Sequence, residues 1–217
     1  MTVDHPSSVQ LASFLNGLYL ILDERWSSCC SLPQVLDEAG QAGVKLVQYR
    51  NKRGSMRDAY ATASILRLCS KKLAMMFVVN DRCDLAMAVE ADGVHLGQDD
   101  LPIALARDIV GRSMVIGVST HNAEQVTQAT QDGADYLGFG PIFPTETKLN
   151  HDPVVGIAGL KHIRGLTSLP VFAIGGIAAD VVPELRQAGA NGVAVASGIL
   201  DSQDRQKAFT QFLSSFH

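Results

Sequence analysis

The chain has 217 residues, 47% of them hydrophobic and 18% charged, with a formal net charge of −4. A chain this long buries roughly 70% of its unfolded surface, so its core needs no disulfide or metal staple, and the composition excludes intrinsic disorder. With 18 Lys and Arg against 22 Asp and Glu, a general nucleic-acid surface is excluded as well, although Arg50, Lys52 and Arg53 crowd together.

Residues 1–16 precede the first strand signal and are expected to cover the bottom of the fold. Apolar, β-branched runs then recur at 17–23, 44–50, 75–80, 93–97, 114–119, 135–140, 170–176 and 192–198. Between them lie amphipathic stretches at 33–42, 57–72, 101–110, 122–132, 181–188 and 205–216, which predict helices. Gly40, Gly43, Gly111, Gly133 and Gly189 sit where these helices would end, since glycine accepts a left-handed conformation. Asn122, with Gln125 three residues on, reads as a helix N-cap. The strand runs are near-continuously apolar and do not cleanly alternate, which marks parallel strands covered on both faces. Eight strand–helix units share the 217 residues at about 27 each. That count predicts an α/β fold, a single-domain (β/α)8 TIM barrel over 1–217, because an open doubly wound sheet uses five or six units.

The longest apolar run, 18–22, is far short of the ~20 residues that cross a bilayer, so no membrane partner is expected. The first sixteen residues hold Asp4, His5 and Pro6 and lack a basic start followed by an apolar region, so a secretion signal is not expected. Cys29, Cys30, Cys69 and Cys83 show no metal-ligand spacing. They read as small buried hydrophobes in a reducing, cytoplasmic setting.

In such a barrel the chemistry sits at the carboxyl ends of the strands. The second strand ends in Gln48, Arg50 and Lys52, whose period-two spacing puts them on one face, with Val47 and Tyr49 turned toward the helices. The third ends in Asn80 and Asp81, and the fourth runs through His95 to Asp99 and Asp100. The fifth ends in Ser119, Thr120 and His121, and the sixth leads into Gly140-Pro141-Ile142-Phe143-Pro144-Thr145-Glu146-Thr147-Lys148. The last two close on Gly175-Gly176 and Ser197-Gly198. Arg50, Lys52 and Lys148 suit phosphate oxygens. Asp81 and Asp100, on adjacent strands, suit a shared Mg²⁺, which takes one or two carboxylates and completes its shell with water and substrate phosphate. The glycine-rich ends of the last two strands suit a monophosphate held on backbone amides. Two phosphorylated ligands, one of them a metal-bound polyphosphate, point to a transferase that joins them.

Plainer roles stay open for several of these residues. Asp81 and Asp100 each also fit a helix N-cap, and Gly175-Gly176 fits a simple tight turn. His95 reads as barrel filling or a structural hydrogen-bonding group, and His121 stays open between site and surface. The connection 141–156 is long for a compact domain and reads as a lid over an anionic ligand.

Taken together, Gln48-x-Arg50-x-Lys52, Val79-Asn80-Asp81, Asp92-Gly93-Val94-His95-Leu96-Gly97-Gln98-x-Asp100, Gly117-x-Ser119, Gly140 through Lys148, Ala173-Ile174-Gly175-Gly176-Ile177 and Ser197-Gly198-Ile199 resemble the thiamine-phosphate synthase family. The resemblance runs from about Gly17 to Leu200. It implies condensation of hydroxymethylpyrimidine pyrophosphate with hydroxyethylthiazole phosphate, by a dissociative, Mg²⁺-dependent route that releases pyrophosphate. It implies Gln48, Arg50, Lys52 and Asn80 on the pyrimidine pyrophosphate, Asp81 and Asp100 on Mg²⁺, and Ser119 and Lys148 on the departing pyrophosphate. Thr145, Thr147, Gly175, Gly176, Ala196 and Ser197 would hold the thiazole phosphate. Two competing expectations are a thiazole tautomerase on the same fold, with His121 as its histidine, and a non-catalytic phosphate-binding protein. The implied partners are small phosphorylated molecules, with homo-oligomerisation left open.

Overall fold

The computed structural model describes residues 8–145 and 153–216. Eight parallel strands close on themselves in chain order, β1 (Gly17–Asp23), β2 (Leu46–Arg50), β3 (Met76–Asn80), β4 (Gly93–Leu96), β5 (Val115–Thr120), β6 (Tyr136–Phe139), β7 (Val171–Ile174) and β8 (Gly192–Val195), with β8 pairing back onto β1. This is the expected (β/α)8 barrel. Most strands are shorter than the apolar runs that announced them. The runs 170–176 and 192–198 overshoot most, because Gly175 and Gly176 turn the chain through positive φ and residues 197–200 form a helical turn.

The helices are α1 (Ser8–Phe14), α2 (Leu32–Ala42), α3 (Met56–Lys72), α4 (Cys83–Ala88), α5 (Ile103–Val110), α6 (Ala123–Gln131), α7 (Gly156–Ile163), α8 (Val182–Gln187), α9 (Ser197–Leu200) and α10 (Arg205–Ser214). α1, α4, α7 and α9, of four to eight residues, are not among the helices that the periodicity marks. Asn122 caps α6 as expected, its side chain accepting from the Gln125 amide at 2.9 Å. Gly40 does not end a helix. It lies inside α2, where a Cβ would stand 2.8 Å from Leu73, and Gly43 is the left-handed cap. The cysteines are all free and Cys83 is buried, as expected, but Cys29 is exposed and Cys30 and Cys69 are only partly buried.

Alternate strand residues such as Val47, Tyr49, Phe77, Val79, Val94, Ile116, Leu137, Phe139, Val171 and Val193 are buried on the outer face, beneath the helices. Each such side chain taken out of water contributes about 1.5–3 kcal/mol, less the entropy of ordering it. The inward residues are uneven in size. Tyr19, Tyr136, His95 and Phe172 fill the interior as an edge-packed cluster with ring centroids 5.2–6.4 Å apart. Their space is supplied by Gly117 and Gly192, where a Cβ would lie 2.0 Å from the Tyr136 ring and 2.5 Å from the Phe172 ring.

At the opposite end, one device recurs ahead of β4, β6 and β8. Asp92, Asp135 and Asn191, each just ahead of its strand, accept the backbone N–H of Phe77, Ile116 and Val171 at 2.8, 2.7 and 2.9 Å. Arg67 and Arg107 then clamp the two aspartates. These buried-edge bonds set strand register and leave the carboxyl ends free for other work. α1 leads directly into β1, with Leu15 buried and Leu11 and Phe14 against the core. Among the described residues no helix is long and apolar enough to cross a membrane.

Candidate active site

The carboxyl ends of the strands surround a cavity of about 430 Å³, within the range of small-molecule sites. Every site residue selected from the sequence and described by the structure lines it. Thr147 and Lys148 lie outside the described residues, as do residues 146–152 of the expected lid.

β2 supplies the first wall. Gln48 and Arg50 share the inward face, and Lys52 follows beyond the strand end. Neither cation is a free donor. Arg50 forms an ion pair with Asp23, a buried carboxylate at the end of β1 that also accepts from the Arg25 amide at 3.0 Å. Lys52 pairs with Asp81. The sequence reading missed Asp23, although its period-two spacing from Tyr19 and Ile21 was visible. An acidic residue after an apolar run looks like an ordinary strand end until Arg50 is seen beside it.

Asp81 and Asp100 form the second wall. Asp81 takes a left-handed backbone conformation, φ +62°, while its amide donates to the His95 carbonyl at 2.7 Å. That bond aims its side chain across the mouth. Neither aspartate caps a helix: the cap positions of α4 and α5 are Arg82 and Pro102. Asp100 is held by the Gly97 amide at 2.6 Å, inside the loop after β4. The two carboxylates approach within hydrogen-bonding reach of each other. Burial first, then Asp100, raises Asp81 above the usual carboxylate range, and Lys52 pulls the other way. Two carboxylates held this close form a site that a hard divalent cation would relieve. Among the described residues no cluster of three or more His, Cys, Asp or Glu forms an all-protein cage. Two carboxylates with room for water and phosphate are therefore what the chain offers, and that set fits Mg²⁺.

β5 brings Ser119, whose Oγ lies 2.9 Å from His95 Nε2, and its carbonyl accepts from Gln98 Nε2 at 2.6 Å. His121 also lines the cavity; its Nδ1 lies 2.5 Å from the Gly140 carbonyl, and its amide donates to Gln125 Oε1 at 2.7 Å. The loop after β6 is tied to the end of β7: Ile142 N donates to the Ile174 carbonyl at 2.9 Å and Phe143 N to the Gly175 carbonyl at 3.1 Å. This zipper delivers Thr145 to the rim. Gly175 and Gly176 adopt φ of +98° and +62°, and a Cβ on Gly176 would stand 2.4 Å from the Pro144 carbonyl. Only glycine fits there. Ala196, Ser197 and Gly198 complete this side.

Barrel and site thus define an enzyme whose cavity has a cation- and carboxylate-bearing wall facing a glycine-rich one. A family profile described as thiamine monophosphate synthase matches residues 18–199. The thiamine-phosphate synthase of Methanospirillum hungatei is 44% identical over 197 residues, 90% of this chain and 95% of that one. Its counterpart from Chloroflexus aurantiacus is 43% identical over 194 residues, 89% of each. Among solved structures, the thiamine phosphate pyrophosphorylase from Pyrococcus furiosus superposes with a TM-score of 0.85 at 35% identity, covering 95% of this chain and 97% of that one. A 3-hexulose-6-phosphate synthase, at TM-score 0.66 and 15% identity, shares the fold alone. The chain belongs to the thiamine monophosphate synthase family. It is a transferase of thiamine biosynthesis, EC 2.5.1.3.

Proposed function

We propose that the substrates are hydroxymethylpyrimidine pyrophosphate and hydroxyethylthiazole phosphate, condensed to thiamine phosphate with release of pyrophosphate in a Mg²⁺-dependent, dissociative reaction. The observation that carries this reading is the division of one cavity into two unlike anion walls. The Arg50, Lys52, Asp81 and Asp100 side has charge to offer a pyrophosphate and its metal. The Gly175-Gly176 and Ser197-Gly198 side has close backbone approach to offer a monophosphate.

Asp81 and Asp100 would hold Mg²⁺, which when bound neutralises charge growing on the leaving pyrophosphate. Lys52, which pairs with Asp81, would stand beside the same phosphate and add positive charge to it. Gln48 and Asn80, buried in the floor, orient the pyrimidine end, and Arg50 is kept in place by Asp23. Ser119 and Lys148 donate to the departing pyrophosphate. Thr145, Thr147, Gly176, Ala196 and Ser197 hold the thiazole phosphate, so that the ring nitrogen faces the pyrimidine methylene when the C–O bond to pyrophosphate breaks. Orientation and leaving-group stabilisation suffice, and no covalent enzyme intermediate is required. Water would trap the pyrimidine-methyl cation as the alcohol, which gives residues 141–156 a purpose as a cover. The enzyme is read as a cytoplasmic, single barrel domain over 1–217, with α1 closing its bottom.

The test is release of pyrophosphate with both substrates, with and without EDTA. Release that EDTA abolishes and magnesium restores, and that falls at least about 100-fold in Asp81→Ala, is the expected result. Metal-independent release, or an unaltered rate in Asp81→Ala, would overturn the reading.

A further inference from the structure

At the floor of the cavity, where Gln48, Tyr19 and His95 are among the lining residues, five polar side chains from five strands form one continuous row. Gln48 Nε2 lies 2.7 Å from Tyr19 Oη, and Tyr19 Oη lies 2.8 Å from Tyr136 Oη. Tyr136 Oη lies 3.0 Å from His95 Nδ1, and His95 Nε2 lies 2.9 Å from Ser119 Oγ. The first four residues are buried, and Tyr136 is fully so. Ser119 alone is half-exposed, at the cavity wall. Two phenols and a histidine between a glutamine and a serine are more polar groups than a barrel interior needs for packing, and phenylalanine would fill the tyrosine positions.

Counting protons gives the row a direction. Each hydroxyl has one proton, and a neutral imidazole has one N–H and one acceptor nitrogen. The Gln48 amide nitrogen can only donate, so Tyr19 accepts from it and spends its own proton on Tyr136. Tyr136 has then accepted once and must donate to His95 Nδ1. The ring proton therefore sits on Nε2 and is donated to Ser119 Oγ. Ser119 cannot return its proton to a nitrogen already donating to it, so its O–H turns to the cavity.

We propose that Gln48, Tyr19, Tyr136 and His95 form a one-way hydrogen-bond relay that makes Ser119 an obligate donor to an anion in the cavity. This rests on the reading above, in which that anion is the departing pyrophosphate. No proton changes owner; the row only forbids the orientation in which Ser119 would present a lone pair to the anion. Tyr19, Tyr136 and His95 act through Ser119 and are positioning residues. His95 is buried, and its two nitrogens meet hydroxyls, Tyr136 Oη and Ser119 Oγ, with no carboxylate on the ring among the described residues; a neutral ring is what a directional row requires. A donor aimed before the charge develops costs no reorientation during the reaction. Inside a low-dielectric barrel each bond also polarises the next.

The direct test is a two-bond proton–nitrogen correlation spectrum of the full-length protein labelled with [15N]histidine, with the His95 resonance assigned by its loss in His95→Gln. The expected ring carries its proton on Nε2. A ring protonated on Nδ1 overturns the proposal, because the row would then run toward Gln48. The second arm is kinetic. Tyr136→Phe keeps the ring and removes the phenol that fixes Nδ1, so kcat for pyrophosphate release should fall about 10-fold while both KM values stay within about 2-fold. In a Ser119→Ala background the same change should cost nothing further, since no hydroxyl remains to be aimed. An equal loss in that background would make Tyr136 merely structural and overturn the relay. Absence of pyrophosphate release by the wild-type protein would instead refute the proposed function, and the tautomer of His95 is read without substrate.

Discussion

Gly117→Ala isolates the packing that the relay depends on. The new methyl carbon would stand 2.0 Å from Tyr136 Cζ and 2.4 Å from both Cε1 and Oη, where ordinary contact begins near 3.4 Å. The ring must therefore move by more than an ångström. It has nowhere open to go, since Tyr136 is fully buried between Tyr19, Phe172 and His95. Overpacking of this kind costs about 1–3 kcal/mol. The displaced phenol also loses its 2.8 and 3.0 Å bonds to Tyr19 and His95, worth about 1 kcal/mol each. The expected destabilisation is about 3–5 kcal/mol, which lowers Tm by about 6–20 °C in a domain of this size. Urea unfolding followed by tryptophan fluorescence and by circular dichroism checks it. Gly117→Ala combined with Tyr136→Ala should be less destabilised than the sum of the single changes, because the methyl then occupies vacated space. A Gly117→Ala protein within about 1 kcal/mol of wild type, or strict additivity in the double variant, would refute the reasoning.

Two more outcomes follow from the same geometry. Burial depresses His95 from its ordinary 6.5 to about 4, so its contribution is complete above the unfolded value and is lost as pH falls through that interval. About 3 kcal/mol of stability should disappear between those limits. His95→Gln, measured by urea midpoint against pH, should show a flatter acid limb than wild type; parallel limbs would contradict the assignment. In Asp23→Asn, the buried partner of Arg50 loses its charge, so KM for the pyrimidine pyrophosphate should rise about 10-fold and stability fall by about 2 kcal/mol. An unchanged KM in steady-state assays would remove Asp23 from the role of holding Arg50.

Much of the barrel and of its rim is legible along the chain. Eight apolar runs that fail to alternate read as parallel strands with helices outside, and period two puts Gln48 and Arg50 on one face however the strand is placed. Gly175-Gly176 and Ser197-Gly198 announce close backbone approach by composition. These are local properties, set by backbone geometry within a few residues, and they survive without knowledge of neighbours. The helices α1, α4, α7 and α9 are not read from periodicity, although α5 and α8, no longer than α7, are.

Pairing across strands is what only the tertiary structure decided. Asp23 and Arg50 are 27 residues apart, and nothing between them says that the arginine arrives already paired. Asp81 fitted a metal site shared with Asp100 and a helix cap alike until its left-handed backbone turned it toward Asp100 and Lys52. The inward glycine at position 117 means nothing until Tyr136 leans into its space. The row from Gln48 to Ser119 joins β2, β1, β6, β4 and β5, an order unlike that of the chain, because barrel closure makes neighbours of residues that sequence distance separates. Hydrogen bonds and ion pairs act over about 3 Å, and only the closed sheet determines which side chains come that near.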